Sequence, residues 1–145
     1  MRNLWYLALI FLATSICTAQ IPNLVGNWTG SETGYFDEGG GFYQLSENTG
    51  VNLAIAEQND RLCTGNITYI LNGTEVVEGF AGAIGLDNKT FYIAEIKEGY
   101  DMGTIISKDE IELVYLADGA KGWASIERLH RITTPFQDVR GFAFA

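Results

Sequence analysis

The residues that most often carry catalysis are scarce in this chain. One histidine, His130, and two cysteines, Cys17 and Cys63, supply all the imidazole and thiol chemistry in 145 residues. A single imidazole cannot build a histidine-based metal cluster, and no Cys/His spacing matches a zinc site. There is no Gly-x-Ser-x-Gly elbow, phosphate-cradling glycine loop or calcium loop. The chain is therefore read as non-enzymatic, without metal or cofactor. The acidic pairs Asp37-Glu38 and Asp109-Glu110 fall in turns, where carboxylates are normally solvated. Glu95 is different. In Phe91-Tyr92-Ile93-Ala94-Glu95 it shares the alternating face of Phe91 and Ile93. It either points into an apolar interior or sits at a solvated strand end before Lys97-Glu98. An inward carboxylate would have to be paired or protonated, because burying a bare charge is costly.

Strands must position these residues. Apolar residues make up 47% of the chain and charged residues 19%, which is enough to bury a core. Beyond Gln20 almost nothing repeats at the helical period; short β-rich runs recur, separated by turn formers. The runs are Leu24–Ser31, Val51–Gln58, Leu62–Leu71, Val76–Ile84, Thr90–Ile96, Thr104–Ser107, Glu110–Leu116 and Trp123–Ile132. Asn59-Asp60, Asn72-Gly73, Asp87-Asn88, Glu98-Gly99, Lys108-Asp109 and Asp118-Gly119 mark turns between them. Eight consecutive strands with tight turns predict an all-β, up-and-down antiparallel barrel, since closure removes the unprotected edges. The connection from Glu32 to Gly50 is long, with Gly39-Gly40-Gly41 at its centre and Tyr35, Phe36, Phe42 and Tyr43 around it. It is either a flap over the barrel mouth or a plain loop whose aromatics extend the flanking strands.

Alternation then assigns an aromatic interior lined by Trp28, Tyr69, Phe80, Phe91, Tyr115 and Trp123, with Glu95 as polar anchor. Small residues expected inside include Ala54 or Ala56, Gly82 and Ala124. In Glu110–Leu116 both faces are apolar, so an outward Val114–Leu116 patch calls for cover by another chain or by the C-terminal tail.

The N-terminus reads as an address. Arg2 precedes an apolar run of 13 residues, Leu4–Ile16, and Cys17-Thr18-Ala19 places small residues at a cleavage site before Gln20. The run is shorter than the ~18 residues of a spanning helix. The expected division is a signal peptide at 1–19, a barrel at 20–132 and a tail at 133–145, with an uncleaved anchor as the alternative. Cleavage leaves Cys63 as the lone thiol, expected to be buried. Export would make the triplets at Asn27, Asn66, Asn72 and Asn88 candidate glycosylation sites. With 18 acidic against 9 basic residues the net charge is −9. That argues against nucleic acid and anionic membrane surfaces as partners.

Leu24-Val25-Gly26-Asn27-Trp28-Thr29 resembles the opening of lipocalins and avidins, the calycins. The resemblance implies an eight-stranded barrel closed at one end by Trp28, with a basic residue of the last strand, Arg128 or Arg131, packed across it. Arg61-Leu62-Cys63-Thr64-Gly65-Asn66 also looks like the third strand of avidins. Gly30, Gly34 and Ile67 stand where avidins use polar groups to bind biotin, so biotin is not implied. The expected function is an exported small-molecule-binding barrel for a small hydrophobic or aromatic ligand. The alternative is a filled barrel serving as a cell-surface structural or interaction module, alone or as a homo-oligomer.

Overall fold

A computed structural model describes residues 20–36, 40–47, 50–97, 99–118 and 122–132. The expected signal peptide and C-terminal tail lie outside these residues, as do Asp37, Glu38 and Gly39. Nine strands form one antiparallel sheet: β1 (Gly26–Phe36), β2 (Gly41–Leu45), β3 (Asn52–Asn59), β4 (Leu62–Leu71), β5 (Thr74–Ile84), β6 (Thr90–Glu95), β7 (Tyr100–Ser107), β8 (Glu110–Ala117) and β9 (Trp123–Arg131). Each strand from β3 to β9 pairs with the next, and β1 closes the circle by pairing with both β3 and β9. The result is a closed, eight-stranded, up-and-down barrel to which β2 is added.

Turn chemistry explains the short connections. Asn72 and Gly73 both take positive φ, 52° and 74°, giving the hairpin turn that follows the twist of β4 and β5. Asp87 caps the next turn by accepting hydrogen bonds from the Lys89 and Thr90 amides and from the Thr90 hydroxyl. The Thr90 hydroxyl, with the two amides, lowers the Asp87 carboxyl to about 2.

Two expectations need correction. The first strand does not stop at Ser31. It continues to Phe36, because β9 offers partners as far as Trp123. The chain then returns as β2, pairing Phe42 with Tyr35 and Tyr43 with Gly34. The glycine-rich connection is thus mostly a β-hairpin. Second, Ala124 is not interior. Leu129 lies opposite the buried Ile111, which sets the phase of β9 and turns Ser125 and Glu127 inward and Ala124 out. Ala54 likewise faces out, between the inward Leu53 and Ile55.

The lower half of the barrel is a conventional core of Leu24, Trp28, Leu53, Ile55, Cys63, Ile84, Phe91, Ile111 and Leu129. Burial pushes the Cys63 thiol up to about 11, which leaves it protonated and inert. Arg131 closes this end. Its guanidinium lies 4.2 Å from the Trp28 ring centroid. It donates to the carbonyls of Val25 (2.6 Å), Asn23 (2.9 Å) and Lys108 (3.0 Å). Trp28 Nε1 donates to Leu24 O, and Gln58 ties Pro22 and Leu24 across the same end. Arg128 points outward instead, to Glu112 at 2.9 Å.

Arg131→Ala removes a cation–π contact and a set of bonds to three carbonyls, so we expect a loss of about 2–4 kcal/mol in urea unfolding. Arg131→Lys should recover less than half of this, because one ammonium cannot span carbonyls fixed for a planar fork. Full recovery by lysine would show that charge alone holds the cap.

Candidate functional site

The upper half of the barrel is unlike the lower. Inward positions there carry Glu32 on β1, Glu78 on β5, Glu95 on β6, Asp101 on β7 and Glu127 on β9. Four of these are nearly inaccessible: Glu32 is 4% exposed, Glu78 5%, Asp101 1% and Glu127 2%. Register brings them together. Glu32 lies opposite Glu127 across the β1–β9 seam, and Asp101 lies opposite Ile93 and Tyr115. Among the described residues, the ion pair that reaches this cluster is Lys97 Nζ to Glu78 Oε2, a loose 3.8 Å with the lysine largely in solvent.

Hydrogen bonding satisfies the cluster unevenly. Tyr43 donates to Glu32 Oε1, and the Tyr43 hydroxyl accepts from Trp123 Nε1. Tyr69 donates to Glu78 Oε1 at 3.3 Å. Both carboxylate oxygens of Asp101 and Oε2 of Glu127 are buried without a hydrogen-bond partner. An aromatic group stands over the carboxylates. Trp123 meets Phe36, Tyr43 and Tyr115 edge-on at 5.5, 5.9 and 5.7 Å.

Crowded acids in a low-dielectric interior hold their protons. Burial first, then hydrogen bonding to Glu78 and the charge of Asp101, raises Glu95 to about 9. Burial, with the charge of Glu32, raises Asp101 to about 7. Burial also holds Glu127 well above the usual carboxylate range, with Asp101, Glu32 and Glu95 adding repulsion. Tyr43 is pushed up by burial and by its bond to Glu32. Among the described residues no three His, Cys, Asp or Glu side chains are gathered closely enough to hold a metal ion.

Strand pairing changes partners beside this cluster. β3 pairs with β1 over Gly26–Thr29 only, and β2 takes over at Glu32–Phe36. On the far side, β4 pairs with β3 only as far as Thr68; Tyr69, Ile70 and Leu71 pair with β5 alone. No pairing joins β2 to β4 among the described residues. Glu32 and Tyr43 flank one side of this break, and Tyr69 and Glu78 the other. Two open clefts border other sets of residues. One of about 630 Å³ is lined by Ser31, Gln44, Leu45, Ser46 and Glu47, the other of about 290 Å³ by Ile21, Asn23, Val25, Gln58 and Asp60.

The residues expected to line a ligand chamber are divided between the halves. Trp28, Phe80 and Phe91 are fully buried and help fill the barrel. Tyr69, Tyr115, Trp123 and Glu95 stand in the upper, acidic half. Of the candidate glycosylation sites, Asn66 and Asn72 are exposed and Asn27 and Asn88 half-buried. The alternation argument found Glu95 and stopped short of the other four acids. The signal was present: Glu32 is in phase with Trp28, Glu78 with Phe80, Asp101 with Ile105 and Glu127 with Leu129. The closed eight-stranded meander is compatible with a calycin-like fold. No protein-family model matches the chain, and no curated protein matches it.

A carboxyl with a raised folded pKa binds more protons folded than unfolded, so its effect is to lower stability as pH climbs from about 4 toward the folded value. Glu95 and Asp101 place that loss between about pH 4 and pH 9. Asp87 acts oppositely, its stabilisation vanishing as pH falls toward about 2. Thermal unfolding should therefore be most resistant near pH 4–5 and decline steadily to pH 9. Asp101→Asn should flatten the decline and raise the melting temperature at pH 8. A wild-type maximum at pH 8 would contradict the buried-acid account.

Proposed function

We propose that the protein is an exported, non-enzymatic barrel that holds one small molecule in its acidic upper half. Asp101 carries this reading. Its carboxylate is 1% exposed, inside a closed barrel, and neither oxygen has a protein partner. Buried polar atoms of this kind are satisfied by water or by a ligand. The aromatic group of Tyr115, Trp123 and Tyr43 supplies the apolar contacts that small-molecule sites combine with a few polar ones. Export rests on the apolar run ahead of Gln20, and exposed Asn66 and Asn72 are the acceptors best placed for glycans. The anticipated lining thus narrows from the whole barrel to the part above Phe80.

A second reading, an interaction module that self-associates, is favoured by the outer surface. Strand register aligns Ala83, Tyr92, Met102, Val114 and Ile126 in one outward row. The next row runs Ala81, Ala94, Tyr100, Leu116, Ala124 and Tyr35, and ends at Phe42. Tyr92, Tyr100, Met102 and Ile126 are each 43–52% exposed. A contiguous apolar face of this kind is unusual on a solitary soluble domain.

Native mass spectrometry of the chain beginning at Gln20, purified gently from its host, separates the two readings. The expected result is an adduct of a few hundred daltons or less that is lost on denaturation. A bare mass, together with no binding from a metabolite panel, would reject the carrier. Sedimentation velocity tests the second reading: wild type should associate at tens of micromolar and Met102→Glu should remain monomeric, a monomeric wild type counting against it.

A further inference from the structure

The acidic half has an unusual balance for a protein interior. Five inward carboxyl groups face one another, and the cation recorded beside them, Lys97, lies at the rim. Proteins ordinarily pair buried acids with arginine or lysine from within the fold, because an unpaired buried charge is expensive. Here the inward positions that might hold such a partner are instead Gly34, Ser125, Tyr43 and Tyr115. Asp101 and Glu127 retain unsatisfied oxygens as a result. The gap in strand pairing between β2 and β4 among the described residues lies beside these groups, flanked by Tyr43 and Tyr69.

Resting on the reading that this half is a ligand site, we propose that it takes an organic cation. This is a primary ammonium seated against Asp101 and Glu127, with its apolar body lying against Tyr115 and Trp123. Three observations choose that chemistry. Once ionised, the unsatisfied carboxylate oxygens only accept, so the partner they take is a donor, and an ammonium brings three. The carboxyls are not gathered with the geometry of a metal site, whereas aromatic rings beside them suit an organic cation. Space is tight. A Cβ built on Gly34 would come within 2.7 Å of the Tyr43 hydroxyl, and one built on Gly99 within 2.4 Å of the Tyr115 ring. A compact –NH3+ group fits that constraint better than a quaternary ammonium.

Proton balance follows from the same crowding. Glu32 on β1, Glu78 on β5 and Glu95 on β6 face the Asp101–Glu127 pair, with the hydroxyls of Tyr43, Tyr69 and Tyr115 around them and Lys97 outside. Protons held by Asp101 and its neighbours leave as the ammonium arrives, so binding releases protons to solvent and strengthens as pH rises.

The test is isothermal titration of the full chain from Gln20 with phenethylamine, its neutral analogue 2-phenylethanol, and calcium chloride. Titrations at pH 6 and pH 8, in two buffers of different ionisation enthalpy, count the protons. We expect the amine to bind about tenfold or more tightly than the alcohol, more strongly at pH 8 than at pH 6, and with net proton release. Asp101→Asn should weaken the amine by about tenfold or more while retaining the barrel's circular dichroism and cooperative melting. Alcohol binding equal to amine binding overturns the ammonium proposal and leaves a small-molecule site standing, whereas calcium binding in place of the amine overturns both. Silence from all three probes and from a wider amine series, with the fold intact, overturns both.

Discussion

Closing an antiparallel meander into a barrel commits every second residue of every strand to one shared interior. The register cannot slip to relieve an awkward group, because a shift of one residue would turn Trp28, Leu53, Ile67 and Leu129 out into water. This constraint governs the rest of the molecule. The apolar residues at the lower end make closure favourable, and the five acids at the upper end are carried inside by the same register. Glu127 is buried because Leu129 is buried two residues away on the same strand.

The two ends therefore have different physical characters. Around Trp28 the side chains interlock, backbone carbonyls find Arg131, and the one described thiol is held protonated by burial. Around Asp101 the side chains repel one another, oxygens lack partners, and protons are retained near neutral pH. A fold can tolerate such a region only when the remainder is strong enough to hold it together. Titratable groups with strongly raised proton affinity cluster most often at functional sites. The broken pairing between β2 and β4 lies at the acidic end and not at the closed one. The change of pairing partners and the unsatisfied oxygens thus lie at the same end.

The outer surface follows the alternate set of the same register. Residues such as Met102, Val114 and Ile126 face outward because Asp101, Leu113 and Glu127 face in. Their apolar character is not demanded by the barrel, which needs only that outward residues tolerate water. The apolar outer face and the acidic interior are thus independent products of the two alternating sets of residues.

Much of this architecture was legible in the residues. Alternation located the strands, and β4 matches its expected run of Leu62–Leu71. Asn72-Gly73 and Asp87-Asn88 marked turns because their backbone and side-chain chemistry is local. The outward Val114–Leu116 pair was visible for the same reason. That Tyr35 and Phe36 extend the first strand was one of two readings the aromatics left open; the choice between them, and the return of β2 as a strand of its own, depended on partners far along the chain. Choice of Arg131 over Arg128 was likewise a matter of barrel phase. Glu95 was recognisable as a possible inward acid from its own strand. That it meets Glu32, Glu78, Asp101 and Glu127 is a consequence of closure, since these residues come from five strands and share nothing in sequence. Sequence by itself determined the strands, their turns and the excess of acid, all properties of neighbouring residues. Only the tertiary structure decided where the acids assemble, because burial and mutual repulsion belong to groups that closure alone brings together.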